Sequence, residues 1–276
     1  MLLRSVTGIL FGVVMLAGFL INLWTALALI SIILVGCMSE FSMHFSNKSA
    51  IQKFPGNTFG LASLMILLLF FIMSIIKFTF VYEYLIFGFI LSLIFIIIAS
   101  INLKKPLIKF PYFNIWTAFV YIGLPLIILV GLLVLDYQKF HIWALVIILM
   151  IWANDTFAYF TGRLFGKTKL APNISPGKTI EGSIGGFIFC LVTILVLDYY
   201  WIHSEYSIFK LLIFGILISV SSILGDLFES YLKRQIGIKD SGHILPGHGG
   251  MLDRFDSFLF AIPVGLFWIW INEKYL

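Results

Sequence analysis

The feature that most constrains this chain is a series of apolar runs, each about as long as a helix that crosses a bilayer. Such a helix needs about 20 mostly apolar residues, and its backbone polar groups must be hydrogen-bonded within the helix itself. The stretches that meet this requirement are 5–21, 24–40, 58–76, 82–101, 114–135, 140–160, 183–201, 207–226 and 256–272. We therefore predict an all-α, polytopic integral membrane protein with about nine transmembrane helices.

Composition agrees with lipid as the main solvent of this chain. Of its 276 residues 61% are hydrophobic and 11% are charged, and the mean hydropathy is +1.07, which excludes an ordinary soluble domain. The two cysteines, Cys37 and Cys190, lie inside apolar runs and indicate neither a disulfide framework nor a zinc cluster. No internal repeat divides the sequence, so we expect a single membrane domain over residues 1–276.

The division of residues 5–40 has two interpretations. The stretch from Ser5 to Ser39 carries no charge, and only Gly18 and Asn22 mark a break in it. One long tilted helix therefore competes with two shorter spans. We interpret the first run as a retained helix rather than a cleaved signal peptide, because no small-residue cleavage site of the A-x-A kind is present.

The basic residues are distributed unequally between the two sides of the predicted bundle. With nine spans, one side receives fourteen of the 18 lysines and arginines: Arg4, Lys48, Lys53, Lys104, Lys105, Lys109, Arg163, Lys167, Lys169, Lys178, Lys233, Arg234, Lys239 and Arg254. Lys77, Lys139, Lys210 and Lys274 fall on the other side. The positive-inside rule places the first group in the cytoplasm. Because these residues lie between apolar runs and not along one stripe, they also argue against a nucleic-acid partner.

The two halves of the chain differ in motif content. Residues 1–140 are predicted to form helices with few motifs, whereas residues 150–260 form the candidate catalytic region. This region contains two predicted cytoplasmic loops, 161–182 and 227–255, which are rich in Gly, Pro and charged residues. Long polar loops on one face are where a membrane enzyme meets a soluble substrate.

Paired acids bracket the second of these loops. Asp226 lies at the end of one predicted span and Asp253 at the start of the next, so both enter the membrane from the same side. Mg²⁺ accepts one or two carboxylates and leaves its other positions to water and substrate phosphates, which makes these acids candidate metal ligands. Asp256 follows on the same helical face and is a further candidate ligand or a support.

Basic residues and glycines accompany the acids. Lys233, Arg234, Lys239 and Arg254 provide the positive charge that a polyphosphate requires. Gly249 and Gly250 allow the backbone to approach a phosphate closely. Acids for a metal together with cations for phosphate indicate nucleotidyl transfer with Mg²⁺, alone or with a second cation.

Structural explanations compete with these functional ones. Glu229 and Lys233 are four residues apart and could form a helical ion pair, and Asp253 with Arg254 could cap the last span. The cluster as a whole favours function, since acids at the ends of membrane spans are costly and are usually functional. The same principle singles out Asp155, an acid within an apolar run.

Two blocks of this region resemble the phosphatidate cytidylyltransferases (CDP-diacylglycerol synthases). The first is the run SYLKRQIGIKDSGHILPGHGGMLDRFDS, from Ser230 to Ser257. The second includes Asn154, Asp155, Ala158, Tyr159, Gly162 and Gly166, followed by Ser175, Pro176, Gly177, Lys178, Thr179, Glu181 and Gly182. The close resemblance covers about residues 150–260.

The resemblance implies a multi-span enzyme, commonly a homodimer, that transfers CMP from CTP to phosphatidate. Since the contexts GDLFES and LDRFDS match, it also implies a metal site at Asp226 and Asp253. Candidate substrate-binding residues are Asn154, Asp155, Ser175, Lys178, His248, Gly249 and Gly250. The expected location is the bacterial cell (inner) membrane, with the active site facing the cytoplasm and membrane lipid supplying one substrate.

Two other functions remain as alternatives. A CTP-dependent lipid kinase would also combine CTP with a membrane lipid, but it would transfer the γ-phosphoryl group to a hydroxyl. A transporter with an intramembrane carboxylate relay is the second alternative. The nearly complete match to the cytidylyltransferase signature argues against the kinase, and the clustering of acids on one face argues against the transporter.

Overall fold

The computed structural model describes residues 2–45, 81–103, 115–242 and 249–275. Its helices are α1 (Leu2–Leu20), α2 (Leu23–Phe45), α3 (Val81–Leu103), α4 (Ile115–Ala118), α5 (Leu124–Leu135), α6 (Tyr137–Phe165), α7 (Ile180–Leu197), α8 (Ile208–Gln235) and α9 (Leu252–Tyr275). π-Helical turns at Phe119–Gly123 and Asp198–Ile202 follow α4 and α7. Two strands, β1 (Lys169–Ala171) and β2 (Ser175–Thr179), form an antiparallel hairpin between α6 and α7.

Residues 5–40 form two helices, which decides between the two interpretations of this stretch. Asn22 begins α2 as a cap: its side-chain oxygen accepts a hydrogen bond from the backbone N–H of Thr25 at 2.9 Å. The Thr25 hydroxyl in turn accepts from the backbone N–H of Asn22 at 3.2 Å. This reciprocal cap satisfies backbone groups that a helix end leaves unpaired, so the chain can turn there.

Helices occupy eight of the nine predicted spans. Five of them are long and apolar enough to cross a membrane, namely α2, α6, α7 with its π-turn, α8 and α9. The predicted span 58–76 lies outside the described residues. The chain is thus an α-helical membrane protein, while the count of nine spans stays a prediction.

Both predicted loops are shorter than the sequence indicated, and the fold is not purely helical. α6 continues to Phe165 and the β-hairpin fills most of the remainder of loop 161–182. α8 continues to Gln235, two turns beyond Asp226. Hydropathy marks only the part of a helix that lies in lipid, whereas backbone hydrogen bonding carries these helices further. Asp226 is therefore inside a helix and not at its C-terminal end.

The core lies between α5, α6, α8 and α9. Every residue from Leu124 to Leu133 in α5 is buried, as is most of α9. α6 and α8 are also joined by a polar contact in the interior, where the Ser219 hydroxyl donates to the Asn154 side-chain oxygen at 2.7 Å. In contrast, one face of α7 exposes Ile184, Ile188, Val192 and Val196, as expected of a helix that faces lipid.

The two ends of the bundle differ in their charged residues. Lys139 at the start of α6 forms an ion pair with Glu273 at the end of α9, and the Tyr206 hydroxyl, just before α8, donates to Glu273 at 3.3 Å. The opposite end contains the C-terminal end of α6, the hairpin and the start of α9. Most of the basic residues among the described segments lie at this opposite end.

The charge asymmetry yields a test of orientation. We expect a cysteine at exposed Lys167, at the hairpin end, to be shielded from an impermeant thiol reagent added to intact cells. A cysteine at exposed Tyr200, at the other end, should react. The native Cys37 and Cys190 are buried and contribute little background. Reaction at position 167 and protection at position 200 would reverse the predicted orientation.

Candidate active site

A cavity of about 600 Å³ opens at the hairpin end of the bundle. Its walls come from the last turns of α6, from β2, from the middle of α8 and from the first turn of α9. Its carboxylates are Asp155, Asp226, Asp240, Asp253 and Asp256, its cations are Arg163, Lys178, Lys233 and Arg254, and Asn154 and Ser175 also line it. The fold therefore brings together residues from both sequence blocks.

The hairpin delivers Lys178 to the cavity, where it forms an ion pair with Asp226 of α8. Both side chains are partly exposed, at 26% and 30% respectively. Ion pairs with this much solvent contact contribute about 0 to 1 kcal/mol to folding, so this pair is not needed for stability. Both groups remain accessible to a ligand that enters the cavity.

Lys233 connects two acids in a drier part of the site. Its Nζ lies 2.5 Å from a carboxylate oxygen of Glu229, one turn earlier in α8, and 2.7 Å from Oδ1 of Asp253 in α9. The Glu229 side chain is 0% exposed. The helical ion pair of Glu229 and Lys233, one of the structural explanations, is therefore confirmed. Loss of this lysine would leave a buried carboxylate without its cation, which is strongly destabilising.

Asp253 caps α9 as well as lining the cavity. Its Oδ2 accepts hydrogen bonds from the backbone N–H of Gly250 at 2.8 Å and of Ser241 at 2.9 Å. An acid in the first helical turn that reaches back to a preceding N–H is a common cap. The capping explanation for Asp253 is thus correct, and it is compatible with a role in the site, since a carboxylate has about four acceptor positions.

The remaining acids are held by close helix packing. A Cβ on Gly225 would lie 2.5 Å from the backbone oxygen of Asp256, so only glycine lets α8 approach α9 this closely beside Asp226. Oδ1 of Asp256 accepts from the backbone N–H of Ser257 at 2.6 Å. The amide of Asn154, itself fixed to α8, donates to Asp155 at 3.4 Å. Each acid thereby has a defined position.

The carboxylates of the cavity suit Mg²⁺ better than a metal that needs an enclosing cage of protein ligands. Within the described segments, no group of three or more His, Cys, Asp or Glu side chains is arranged to enclose a metal ion. Mg²⁺ does not require such a cage, because it binds through one or two carboxylates together with water and substrate phosphates. Asp226, Asp253 and Asp256 line the same cavity and suit this mode.

Other predicted site residues lie outside the cavity lining. The guanidinium of Arg234 donates to the backbone oxygens of Ile174 at 3.2 Å, at the hairpin turn, and of Ile238 at 2.8 Å. Lys239 is exposed beyond the end of α8. Gly249 has a positive φ of 86°, which favours glycine, and Gly250 contacts Asp253 through its N–H. His248 lies outside the described residues.

The sequence reasoning missed another buried acid, Glu40 near the end of α2. This side chain is 2% exposed and contacts the loop before α9. It could have been found with the principle that selected Asp155, since Glu40 ends an otherwise uncharged apolar run. The N-terminal helices therefore contact the candidate catalytic region, although residues 1–140 contain few motifs.

A second cavity of about 420 Å³ adjoins the first. The two cavities share Asp155, Asp253, Arg254 and Asp256. Beyond these acids and the arginine, the second cavity runs between α1, α6 and α9, and its lining includes Phe11, Met15, Ile148, Ile151, Trp152 and Phe258. The site thus has a charged compartment and, beyond the shared charged residues, a compartment lined mainly by apolar side chains, with Arg254 in both.

Comparison with known proteins agrees with this geometry. A stretch of 116 residues is 53% identical to the phosphatidate cytidylyltransferases of Staphylococcus haemolyticus and Staphylococcus saprophyticus, and 50% identical to that of Staphylococcus aureus. In each case the match covers 42% of this chain and 44% of the relative, so the chain spans less than half the length of these relatives. The model of the cytidylyltransferase family matches a much longer range, residues 2–272. The chain belongs to the cytidylyltransferase family.

Proposed function

We propose that this protein transfers CMP from CTP to phosphatidate, forming CDP-diacylglycerol and pyrophosphate. The observation that carries the proposal is the double cavity, in which acids and cations meet at the mouth of an apolar compartment between helices. A water-soluble nucleotide and a lipid headgroup need such a junction. The names of the similar staphylococcal proteins support the same reaction.

The charged compartment suits the triphosphate of CTP. Lys178, Arg163 and Arg254 reach it from three different elements, so they can surround a polyphosphate rather than touch it on one side. Guanidinium groups bind phosphate oxygens in bidentate fashion. The ion pair of Lys178 with Asp226 is partly exposed and weak, so Lys178 can exchange its carboxylate for a phosphate at little cost.

The apolar compartment suits the lipid. Its walls are formed by α1, α6 and α9, and Arg254 stands at the boundary with the charged compartment. A phosphatidate molecule can keep its acyl chains among the helices while its phosphate reaches Arg254. This arrangement accounts for an arginine that lines both cavities.

The reaction needs positioning and charge neutralisation more than proton transfer. The phosphate of phosphatidate is already an anionic nucleophile near neutral pH. One of its oxygens attacks the α-phosphorus of CTP, the bond from that phosphorus to the bridging oxygen breaks, and pyrophosphate leaves with the electron pair. Lys178, Arg163 and Arg254 neutralise the anions that approach each other and the charge that departs.

We further propose that Mg²⁺, alone or with a second cation, is held by Asp226 and Asp253, with Asp256 beside them. A bound Mg²⁺ supplies charge neutralisation and a template for the reacting phosphates. Asp226 has a lysine and a distant serine hydroxyl, 3.4 Å away, among its described contacts, whereas Asp253 already accepts from three groups. Asp226 is therefore the principal ligand in this proposal.

The location and assembly are also proposals. The basic residues at the hairpin end support an active site that faces the cytoplasm, where CTP is available. The relatives are bacterial proteins, which supports a location in the bacterial cell membrane. We propose a homodimer on the resemblance to the family alone.

The identity of the transferred group is tested with CTP labelled separately at its α and γ phosphates. Purified protein is incubated with phosphatidate and each labelled nucleotide in turn, and the label in the lipid fraction is measured. We expect label from the α position only. Label from the γ position would establish a lipid kinase instead, and label from neither would favour a transporter.

We expect Lys178→Ala to raise the KM for CTP about ten-fold or more, because a charge-assisted phosphate contact contributes about 1.5 to 3 kcal/mol. Folding should be little affected, since the ion pair with Asp226 is partly exposed. Lys169→Ala is the matched control, because Lys169 is an exposed lysine in the other strand of the same hairpin. Equal KM values for the two variants would remove Lys178 from the CTP site.

We expect Asp226→Asn to lower kcat about a thousand-fold while the protein remains inserted and folded. Asparagine keeps the side-chain size and removes the charge that would bind the metal. Asp198→Asn, the same substitution at the opposite end of the bundle, should retain near-normal activity. Retention of more than about a tenth of normal turnover by Asp226→Asn at saturating Mg²⁺ would show that Asp226 is not a principal ligand.

A further inference from the structure

Glu40 makes three hydrogen bonds to the segment that carries Asp253. Its Oε1 accepts from the backbone N–H of Met251 at 2.8 Å. Its Oε2 accepts from the backbone N–H of Leu252 and from the Ser241 hydroxyl, each at 2.9 Å. A side chain from the second helix of the chain thus holds a loop that lies some 200 residues later.

The contacts of Glu40 interlock with those of Asp253. Ser241 donates its hydroxyl to Glu40 and its backbone N–H to Asp253. Gly250 donates to Asp253, and the next two residues donate to Glu40. The two carboxylates therefore use different donor groups from the same short stretches, Ser241 and residues 250–252, so a displacement of Glu40 would move residues that hold Asp253.

Two glycines are placed where only glycine leaves room for this carboxylate. A Cβ on Gly242 would lie 2.4 Å from Oε1 of Glu40, and a Cβ on Gly250 would lie 2.4 Å from Oε2. Contacts this short do not occur between real atoms. At Gly242 the nearest atoms all belong to Glu40, whereas at Gly250 the Ser241 hydroxyl, at 2.3 Å, is an obstacle together with Glu40. The glycine-rich character of the segment is thus explained in part by a residue of α2.

The burial of this charge is costly in isolation. Glu40 is 2% exposed, and a buried carboxylate requires full hydrogen bonding. Its three donors supply that bonding, and its position at the N-terminus of α9 adds the favourable interaction of an anion with the helix dipole. An alanine at this position would avoid the desolvation cost. A role beyond packing therefore accounts better for the presence of an acid.

We propose that Glu40 is a positioning residue that fixes Asp253 in the active site through the start of α9. This inference rests on the proposed function for its catalytic consequence. Glu40 does not line the cavity of Asp226 and Asp253 and acts on the reaction through Ser241, Met251 and Leu252.

The first test measures the contacts themselves, independently of activity. In Glu40→Gln one carboxylate oxygen becomes an NH₂ group that faces N–H donors, so at least one hydrogen bond is lost and two donors oppose each other. We expect the Met251 and Leu252 amides to exchange with deuterium about ten-fold faster or more, as followed by mass spectrometry on the detergent-solubilised protein. Unchanged exchange would overturn the proposal.

Ser42→Ala is the matched control for this measurement. Ser42 is buried at 7% exposure in the same turn of α2, and its hydroxyl donates to the Ser39 backbone oxygen within that helix. Its substitution should leave exchange at Met251 and Leu252 unchanged. Equal acceleration by both variants would indicate a general loosening of α2 and would also overturn the proposal.

The second test separates positioning from simple destabilisation. If Glu40 fixes Asp253, then Glu40→Gln should lower kcat about ten-fold and raise the Mg²⁺ concentration for half-maximal rate several-fold, whereas a loss of folded protein would change neither the KM nor the Mg²⁺ dependence. Ser42→Ala should have wild-type values. A Glu40→Gln enzyme with wild-type Mg²⁺ dependence and kcat per folded molecule would refute positioning.

A milder variant covers the case in which Glu40→Gln does not fold. Ser241→Ala removes one donor of Glu40 and keeps both backbone contacts, so it should shift exchange and Mg²⁺ dependence in the same direction by a smaller factor. Absence of both shifts would count against the proposal. If the wild-type protein protects these amides but transfers no CMP, the proposed function fails, and hydrogen exchange still decides whether Glu40 holds the loop.

Discussion

The cost of placing carboxylates at the end of an apolar helix bundle governs the structure around the site. Three buried acids have partners that offset this cost: Lys233 of α8 pairs with Glu229 in its own helix and with Asp253 of α9, and Glu40 of α2 accepts from the amides of Met251 and Leu252 at the start of α9. Without these partners the acids would be neutralised or the helices would separate. The packing of α2, α8 and α9 at this end is therefore determined by charge compensation as much as by apolar contact.

The acids differ in how many protein groups offset their charge, and they therefore differ in how readily they can bind a ligand. Asp253 accepts from three protein donors, whereas Asp226 pairs with one partly exposed lysine. A site for an anionic nucleotide needs both kinds of group, because fixed charges define the geometry and exchangeable ones accept the ligand. The hairpin supplies the exchangeable partner on an element that is separate from the helical core.

Much of this arrangement could be predicted from the sequence, and the limits are physical. The helices that the structure describes, the pairing of Glu229 with Lys233 and the position of both predicted loops at one end of the bundle follow from hydropathy, spacing and charge. The role of Arg234 could not be derived, because its charge suggests phosphate while its partners are two backbone oxygens set by the tertiary fold. Glu40 was missed because its partners, two backbone amides and the Ser241 hydroxyl, lie some 200 residues later in the chain.

The two contacts of Arg234 also bear on how this end of the protein opens. A two-stranded hairpin is marginally stable on its own, and here the guanidinium ties its turn at Ile174 to the segment after α8 at Ile238. Glu181 ties the other side of the hairpin by accepting from the backbone N–H groups of Lys167 and Thr168. Because these contacts link the hairpin to the following segment, we expect local unfolding to expose the two together before the helical core opens.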